Sequence, residues 1–218
     1  VDLFDSNEKL GKKLYITGKG RCNLTNAVDI GDYFDSIVHN HSFMYSALYS
    51  YTNVDFMAFI EKNGVPLKTE RGDRVFPVSD KSSDVINAFK TALKHKHCQV
   101  RLNTKITDLY VEDSAVKGIV LDNGETRNFD AVILATGGKS YPSTGSDGNF
   151  FQILKKWGHQ VTTLAPGLVP INTKEDWPRE LQGLALKNVV LTLYKKTPKG
   201  QKKVRSMLGE MLFTHFGL

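Results

Sequence analysis

The stretch Asp130–Gly148, "DAVILATGGKSYPSTGSDG", joins a continuous apolar run to a loop rich in glycine and serine. The run "AVILA" predicts a buried β-strand, because strands that are buried on both faces read as unbroken apolar segments. The glycines allow a backbone to approach a ligand closely and to point its N–H groups at it. A strand followed by a glycine-rich turn is the place where open α/β sheets bind nucleotides. This stretch therefore predicts an α/β fold with a nucleotide site.

The helix predicted after this loop lies in "SDGNFFQILKKWGH", with Gly158 as its stop. Its buried side is predicted to consist of four large apolar residues: Phe150, Phe151, Leu154 and Trp157.

A second glycine-rich stretch, Ile16–Asn26, reads "ITGKGRCNLTN" and follows the short apolar run "LYI". Upstream of it, "VDLF" predicts a strand that ends at Asp5. A carboxylate at the end of the second strand of a dinucleotide fold accepts hydrogen bonds from ribose hydroxyls. Asp5 is the candidate for that role, with Glu8 as the fallback if the register differs. The alternative is that Asp5 belongs to a surface turn, since Asp-Ser-Asn is also good turn chemistry.

The region between the two glycine-rich stretches predicts helices and then a β-meander. "TNVDFMAFIEKNG" and "SSDVINAFKTALKHK" each have polar capping residues and an apolar face at helical spacing. "LKTERGDRVFP" predicts two short strands around a turn. Asn123-Gly124 is a strong hairpin signal within the later strands.

The residue pattern of the sequence changes after Pro166, where an irregular segment precedes "LKNVVLTLYKK", "KKVRSML" and "GEMLFTH". These three segments predict β-strands. We therefore expect one α/β domain over residues 1–167 and the start of a β-rich domain over residues 168–218.

Composition favours an ordinary cytoplasmic protein. No apolar run approaches the roughly 18 residues that a membrane-spanning helix needs, so no membrane partner is expected. The two cysteines, Cys22 and Cys98, are too few for a disulfide framework, which favours a reducing compartment. No signal-peptide pattern opens the sequence.

The net charge is +6, and the densest basic stretch is Lys195–Arg205, "KKTPKGQKKVR". We interpret this stretch as a solvated hairpin tip. It lacks the interleaved aromatic residues of a protein that binds single strands, so no nucleic-acid partner is expected. A nucleic-acid-binding protein that uses the basic β-module remains the alternative from another functional class.

No metal site is predicted. "HNH" at His39–His41 lacks supporting ligand spacing, and a polar helix end is the preferred interpretation of "KHKHC" at Lys94–Cys98. Neither a Gly-x-Ser-x-Gly motif nor a Cys-x-x-Cys pair is present, and no residue stands out as a catalytic acid or base. Cys22 beside Arg21 is interpreted as a packed loop thiol, the alternative being a reactive thiol of lowered pKa.

Four segments together resemble one protein family: "EKLGKKLYITGKGRCNLTN", "ATGGKSYPSTGSDG", "LVPI" and "GEMLFTHFGL". They are similar to bacterial NAD(P)/FAD-dependent oxidoreductases of the aminoacetone-oxidase-like flavoprotein type. The resemblance implies a two-dinucleotide-binding-type FAD domain, partly Rossmann-like, that is interrupted by an inserted β-rich domain. The chain would then run from the second strand of that FAD domain into the insert, without the opening glycine motif and the closing C-terminal segment. We accordingly expect the fragment by itself to be inactive.

The same resemblance implies the cofactor site. The loop that lies along FAD would contain Thr17, Gly18, Gly20, Arg21, Cys22 and Asn23. Ala135, Thr136 and Gly137 would be the strand end that approaches the cofactor, and the backbone of Ile106 would meet the adenine. Lys13 and Ser140 are further candidates, as is Asp5 for the ribose.

The function implied is that of a FAD-dependent oxidoreductase that transfers electrons or hydride to or from a small molecule, with NAD(P)H as a candidate donor. A flavin-binding protein without turnover is a third reading. The sequence leaves the substrate, the electron acceptor and the oligomeric state undetermined.

Overall fold

A computed structural model describes residues 1–94 and 97–218. The chain divides into two compact units, Val1–Val161 and Thr162–Leu218. The first unit has mixed α/β structure, and the second is dominated by one long β-hairpin.

Ten strands are present in the described residues: β1 (Asp2–Phe4), β2 (Thr25–Asn26), β3 (Leu67–Glu70), β4 (Arg74–Pro77), β5 (Gln99–Arg101), β6 (Ile106–Glu112), β7 (Ala115–Leu121), β8 (Thr126–Asn128), β9 (Ala185–Thr197) and β10 (Gly200–Leu212). The α-helices of the same residues are α1 (Ile30–Tyr33), α2 (Tyr45–Ser50), α3 (Asn53–Lys62), α4 (Ser82–Lys94), α5 (Phe150–Lys156) and α6 (Trp177–Glu180). Short 3-10 segments cover Leu14–Gly20, Phe34–Ser36, His41–Met44 and Pro142–Thr144.

Strand β1 pairs in parallel with β5, with Leu3 opposite Val100. Parallel strands need a crossover connection, and here that connection contains the second glycine-rich stretch and helices α1 to α4. The prediction that "VDLF" forms a strand is confirmed. Asp5 follows immediately, and its amide still donates to the carbonyl of Arg101 at 3.0 Å.

An antiparallel sheet of order β2-β4-β3 packs with α3 and α4 around the first core cluster. Helix α3 begins as predicted at a capping box. The hydroxyl of Thr52 accepts from the Asp55 amide, and the Asp55 carboxylate accepts from the Thr52 amide. The buried members of the cluster are Cys22, Ile60, Val65, Val85 and Ala88.

The predicted meander is confirmed as the sheet β6-β7-β8, with Gly124 in its second turn at a φ of 82°. Its buried residues are Leu109, Ile119 and Leu121, and α5 packs against them through Phe150 and Ile153. Trp157 was predicted to be buried, but it remains 37% exposed. Its indole N–H donates to the Asp108 carboxylate at 2.9 Å, because a polar partner is available at the helix end.

The prediction of a β-strand at Ala131–Ala135 is wrong. These residues form no regular element, and Ile133 is 91% exposed. A buried strand requires neighbours that satisfy its backbone groups. Among the described residues, no strand pairs with this segment.

In the second unit, β9 and β10 form one antiparallel hairpin of 13 residues per strand, with irregularities between Lys203 and Arg205 and between Gly209 and Met211. "KKVRSML" and the first residues of "GEMLFTH" therefore share one strand. Near the base of the hairpin, Phe213 is buried and its ring lies 5.8 Å from that of Trp177. Across the described part of the chain, none of the helices has the length and apolar character to traverse a lipid bilayer.

Candidate functional site

Asp5 at the end of β1 is held in a fixed orientation by the turn that follows it. Its Oδ1 accepts hydrogen bonds of 2.9 Å from both the amide N–H and the side-chain Nδ2 of Asn7. The other carboxylate oxygen, Oδ2, receives no hydrogen bond from the described residues. Asp5 is thus both a turn residue and a half-buried carboxylate with one oxygen available to a ligand hydroxyl.

Asn7 connects this strand end to the glycine-rich loop of the opening stretch. Its Nδ2 also donates to the carbonyl of Thr144 at 3.1 Å. A Cβ added to Gly145 would lie 2.7 Å from the same Nδ2, and Gly145 has a φ of +95°. Only glycine therefore allows the loop to approach Asn7 this closely.

Lys13 forms a second connection to the same loop. Its ammonium group donates to Oγ of Ser140 at 3.2 Å and to Oγ of Ser146 at 2.9 Å. Ser146 is buried, whereas Ser140 is exposed. A Cβ on Gly137 would lie 2.6 Å from Oγ of Ser146, so Gly137 packs directly against this hydroxyl.

The backbone beside these side chains offers unused donors. No amide N–H from residues 131–141 donates a hydrogen bond to another described residue. Gly138 has nothing within 4 Å of the position where a Cβ would stand. An ammonium, two hydroxyls and open amides favour an anion such as phosphate. The nearby free oxygen of Asp5 favours a hydroxyl. We call Asp5, Asn7, Lys13, Ser140 and Ser146 the Lys13 cluster.

Ile106 lies two residues after Thr104, which is hydrogen-bonded to Asp5 of the Lys13 cluster. The amide of Thr104 donates to the carbonyl of Asp5 at 3.1 Å, which fixes the start of β6 beside the end of β1. Ile106 pairs with Leu121, and its side chain packs in the same cluster as Phe4.

The second glycine-rich stretch folds into an irregular 3-10 segment whose left-handed residues include Gly18, with a φ of 56°, and Lys19, with a φ of 59°. The Cys22 amide closes it by donating to the carbonyl of Thr17 at 3.0 Å. A Cβ on Gly18 would lie 2.7 Å from the amide nitrogen of Asn23, whereas one on Gly20 would meet nothing nearer than 3.9 Å. Gly18 therefore serves internal packing, and Gly20 leaves open space beside the backbone.

The resemblance implies that Arg21 belongs to the loop along FAD, and in the structure its guanidinium lies among protein carboxylates. It donates to both oxygens of Glu70, at 2.8 and 3.2 Å, and to Asp80 at 3.2 Å. It also stacks on the ring of Phe76, 4.0 Å from the centroid. Hydrogen bonding to Glu70 raises the pKa of Arg21, and the same bond lowers the pKa of Glu70.

Lys68 completes this group by donating to Asp80 at 2.6 Å, which is the leading cause of the lowered pKa of Asp80. We call Arg21, Lys68, Glu70 and Asp80 the Arg21 network. Sequence reasoning missed its two carboxylates, because they lie 49 and 59 residues from Arg21 and belong to no motif with it.

Asn23 and Cys22 also hold the loop, Asn23 through backbone carbonyls and Cys22 through the core. With its amide oriented to donate, Asn23 bonds the carbonyls of Val75 at 3.2 Å and Thr25 at 3.1 Å. Cys22 has no exposed surface, and burial raises the pKa of its thiol. Because of this position, Cys22 is a packed thiol and not an activated one.

The structure thus joins Asp5, Lys13, Gly137 and Ser140 in one place. The 3-10 segment Leu14–Gly20 follows Lys13, and Thr17–Asn23 begins within it and continues beyond it. This later part of the chain contacts the β3–β4 hairpin instead. Ala135 and Thr136 are exposed, and neither forms a hydrogen bond with another described residue. Among the described residues, no three His, Cys, Asp or Glu side chains converge as a metal site would require. His95 and Lys96 of "KHKHC" lie outside the described residues.

Comparison with protein-family models matches residues 1–203 to the HI0933-like protein Rossmann domain. A Rossmann domain agrees with the parallel β1–β5 pair and confirms the predicted α/β class, to which antiparallel sheets are added.

Three curated relatives resemble the whole of this chain. It is 28% identical over 220 residues to the 3-dehydro-bile acid delta(4,6)-reductase of Clostridium scindens, covering 100% of this chain and 51% of that protein. It is 29% identical over 223 residues to the ribosomal RNA dihydrouridine synthase of Escherichia coli, covering 100% and 52%. The protein of the same name from Haemophilus influenzae is 26% identical over 222 residues, again with 100% and 52% coverage. The chain therefore spans about half the length of the curated relatives that it matches.

Proposed function

This chain belongs to the HI0933-like Rossmann domain family, and we propose that it forms part of a FAD-dependent oxidoreductase. The observation that carries the proposal is the Lys13 cluster. It places a free carboxylate oxygen and an ammonium–hydroxyl group at the end of a parallel strand, where dinucleotide folds bind their ligand.

The residues of the Lys13 cluster fit the adenosine diphosphate half of FAD. Oδ2 of Asp5 would accept from a ribose hydroxyl, and the backbone of Ile106 would meet the adenine. Lys13, Ser140 and the open amides near Gly137 would bind the pyrophosphate. A cationic donor is appropriate there, because charge-assisted hydrogen bonds are about twice as strong as neutral ones.

The second glycine-rich stretch would lie along the rest of the cofactor. Gly20, with open space beside it, is the position where a ligand could approach the backbone most closely. Thr17 and Asn23 hold the loop through backbone contacts, and Arg21 anchors it to Glu70. We propose that Arg21 positions this loop through the Arg21 network and does not itself pair with phosphate. Cys22 supports the loop from the core.

FAD, when bound, supplies the redox chemistry, while the protein supplies binding and orientation. NAD(P)H is the proposed electron donor, and the aminoacetone-oxidase-like assignment remains a prediction. The names of two relatives describe a steroid-type reductase and a dihydrouridine synthase. Both imply saturation of a carbon–carbon double bond that is conjugated to a carbonyl. We propose a substrate of that chemical class.

The test is to purify the full-length protein, release its flavin by heat and identify it by chromatography. FAD is the expected flavin, because the proposed partner of Asp5 is the adenosine ribose, which FMN lacks. FMN alone, or a protein that takes up no flavin from a FAD titration, would contradict the proposal. Flavin that binds but is never reduced by NADH or NADPH would favour a binding protein without turnover.

A further inference from the structure

Asn7, in the turn after β1, bonds three separate parts of the chain. Its amide N–H and its Nδ2 each donate to Oδ1 of Asp5 at 2.9 Å. The same Nδ2 donates to the carbonyl of Thr144 at 3.1 Å, and the carbonyl of Asn7 accepts from the amide of Asn103 at 3.0 Å. These four bonds fix a half-buried side chain in one orientation.

The chemistry of the two partners decides which end of the Asn7 amide faces them. A carboxylate oxygen and a backbone carbonyl both accept hydrogen bonds, so the nitrogen must point at them. The bond to the carboxylate is charge-assisted and therefore the stronger of the two. Asn7 thus holds one oxygen of Asp5 and leaves the other for a ligand hydroxyl.

Asn7 also holds the glycine-rich loop that follows residue 135. Its Nδ2 is bound at the end of the 3-10 segment Pro142–Thr144. Lys13 is bound on either side of that segment, at Ser140 and Ser146. The loop is therefore attached to the chain after β1 at three points, of which Asn7 is the middle one.

One amide group is thus shared between the carboxylate of Asp5 and the backbone of the loop. A ligand hydroxyl that fixes Asp5 would also fix Asn7, and through Asn7 the loop. A phosphate that orders the loop would in turn fix Asp5, because coupling between two sites is reciprocal.

We infer that Asn7 is a positioning residue that couples ribose binding at Asp5 to pyrophosphate binding by the loop. Asn7 itself contacts neither part of the cofactor in this arrangement and acts through Asp5 and Thr144. The inference rests on the proposed function, since FAD is the ligand whose two parts are coupled.

The first experiment is a double-mutant cycle on the full-length apoprotein, with the Kd for FAD measured by flavin fluorescence. Asn7→Ala should weaken FAD binding by about 5- to 30-fold. When Asp5 is already replaced by Asp5→Ala, the penalty for Asn7→Ala should be at least about 3-fold smaller, because residues in contact are not additive. Asn128→Ala is the matched control, since Asn128 is exposed on β8 and its side chain bonds no described residue.

A second cycle tests the connection to the loop. In Gly145→Ala the new Cβ would lie 2.7 Å from Nδ2 of Asn7 and would push the loop away from it. FAD binding should weaken in this variant, and the penalty should be at least about 3-fold smaller in the Asn7→Ala background.

Asn7→Asp keeps the shape of the side chain and reverses its polarity. The introduced carboxyl would face Oδ1 of Asp5, and two carboxyls that share a site raise one of the two pKa values. Once protonated, the introduced group can again donate to Asp5. The affinity of this variant for FAD should therefore rise as the pH is lowered from about 8 to about 5, whereas Asn128→Asp should follow the wild type.

No other charge is placed to compensate the introduced carboxyl, because Asp5 forms no ion pair with a described residue. The charged side chains of the neighbouring segments have other partners or are exposed: Glu8 bonds Lys12, Lys13 bonds Ser140 and Ser146, Arg101 bonds Asp2, Asp147 bonds Asn149, and Lys9, Lys105 and Lys139 are exposed.

The outcomes separate this inference from the proposed function. If Asp5→Ala weakens FAD binding but Asn7→Ala costs the same affinity in both backgrounds, the inference is overturned and the proposed function stands. If Asp5→Ala binds FAD as the wild type does, the proposed ribose site is removed and the inference with it. Should Asn7→Ala fail to fold, which urea unfolding would show, the pH profile of Asn7→Asp decides, and a profile parallel to that of the wild type overturns the inference.

Discussion

Lys13 donates a hydrogen bond of 2.9 Å from its ammonium group to the hydroxyl of Ser146, across 133 positions of sequence. The bond joins the segment after β1 to the glycine-rich loop after residue 135. It also leaves a cation beside backbone amides that have no partner among the described residues. The segment that follows β1 and the glycine-rich loop after residue 135 therefore meet at this lysine.

Replacement of this cation should weaken cofactor binding. For Lys13→Met in the full-length protein, we expect the Kd for FAD to rise about 10- to 100-fold, because a hydrogen bond to a charged group contributes about 1.5–3 kcal/mol. Lys12→Met is the matched control, since the neighbouring Lys12 pairs with Glu8 instead. Equal FAD titrations for Lys13→Met and the wild type would remove Lys13 from the site.

Loss of the Asp5 carboxylate should have a similar effect for a different reason. Asp5→Ala removes the free oxygen that would accept from the ribose, so we expect an affinity for FAD about 10- to 100-fold lower. Affinity is measured by flavin fluorescence on apoprotein, with Glu112→Ala, an exposed carboxylate at the end of β6, as the control. If thermal melts are unchanged and FAD binds normally, Asp5 is only a turn residue.

Gly137 and Gly138 make a matched pair for the loop. In Gly137→Ala the new Cβ would lie 2.6 Å from Oγ of Ser146, at a φ of +73°, whereas in Gly138→Ala it would meet nothing within 4 Å. We expect Gly137→Ala to lower the free energy of unfolding by about 1–2 kcal/mol, the usual cost of a left-handed alanine. Gly138→Ala should leave it within about 0.5 kcal/mol of the wild type. Urea unfolding of both variants measures this difference, and equal midpoints would contradict the packing of Gly137 on Ser146.

The Arg21 network should make stability depend on pH in the acid range. The pKa values of Glu70 and Asp80 are lowered by hydrogen bonds from Arg21 and Lys68 respectively. A carboxyl whose pKa is lower in the folded state stabilises the protein above its unfolded-state pKa, about 4.3 for Glu and 3.9 for Asp. That contribution is lost as the pH falls through the lower folded-state values. The melting temperature is measured between about pH 3 and pH 7, a range that includes these unfolded-state pKa values. The melting temperature of Glu70→Gln/Asp80→Asn should fall less steeply towards acid pH than that of the wild type.

The two thiols should react at different rates. Cys22 is fully buried and burial raises its pKa, so little reactive thiolate forms at Cys22 at neutral pH. Cys98 is partly exposed. We expect a disulfide reagent to modify Cys98 in the native protein and Cys22 only after unfolding, as peptide mass analysis would report. Rapid native labelling of Cys22 would restore the alternative of a reactive thiol.

Local patterns were sufficient for much of the fold. The capping box at Thr52, the turn at Gly124 and the strand that ends at Asp5 each depend on residues a few positions apart, and all three are present. The apolar run at Ala131–Ala135 was misleading, because a strand also needs a neighbour. Apolar composition by itself carries no information about that neighbour.

The α/β class, the short-range turns and caps, and the two glycine-rich segments that suit a nucleotide all follow from local sequence patterns. The contacts of Lys13 with Ser146 and of Arg21 with Glu70, and the position of Leu3 opposite Val100, follow from no local pattern and become visible only in the folded chain. The difference lies in the range of the interactions. Propensity, capping and turn geometry act between residues close in the chain, whereas ion pairs and strand register depend on which distant segments the packed fold brings within hydrogen-bonding distance.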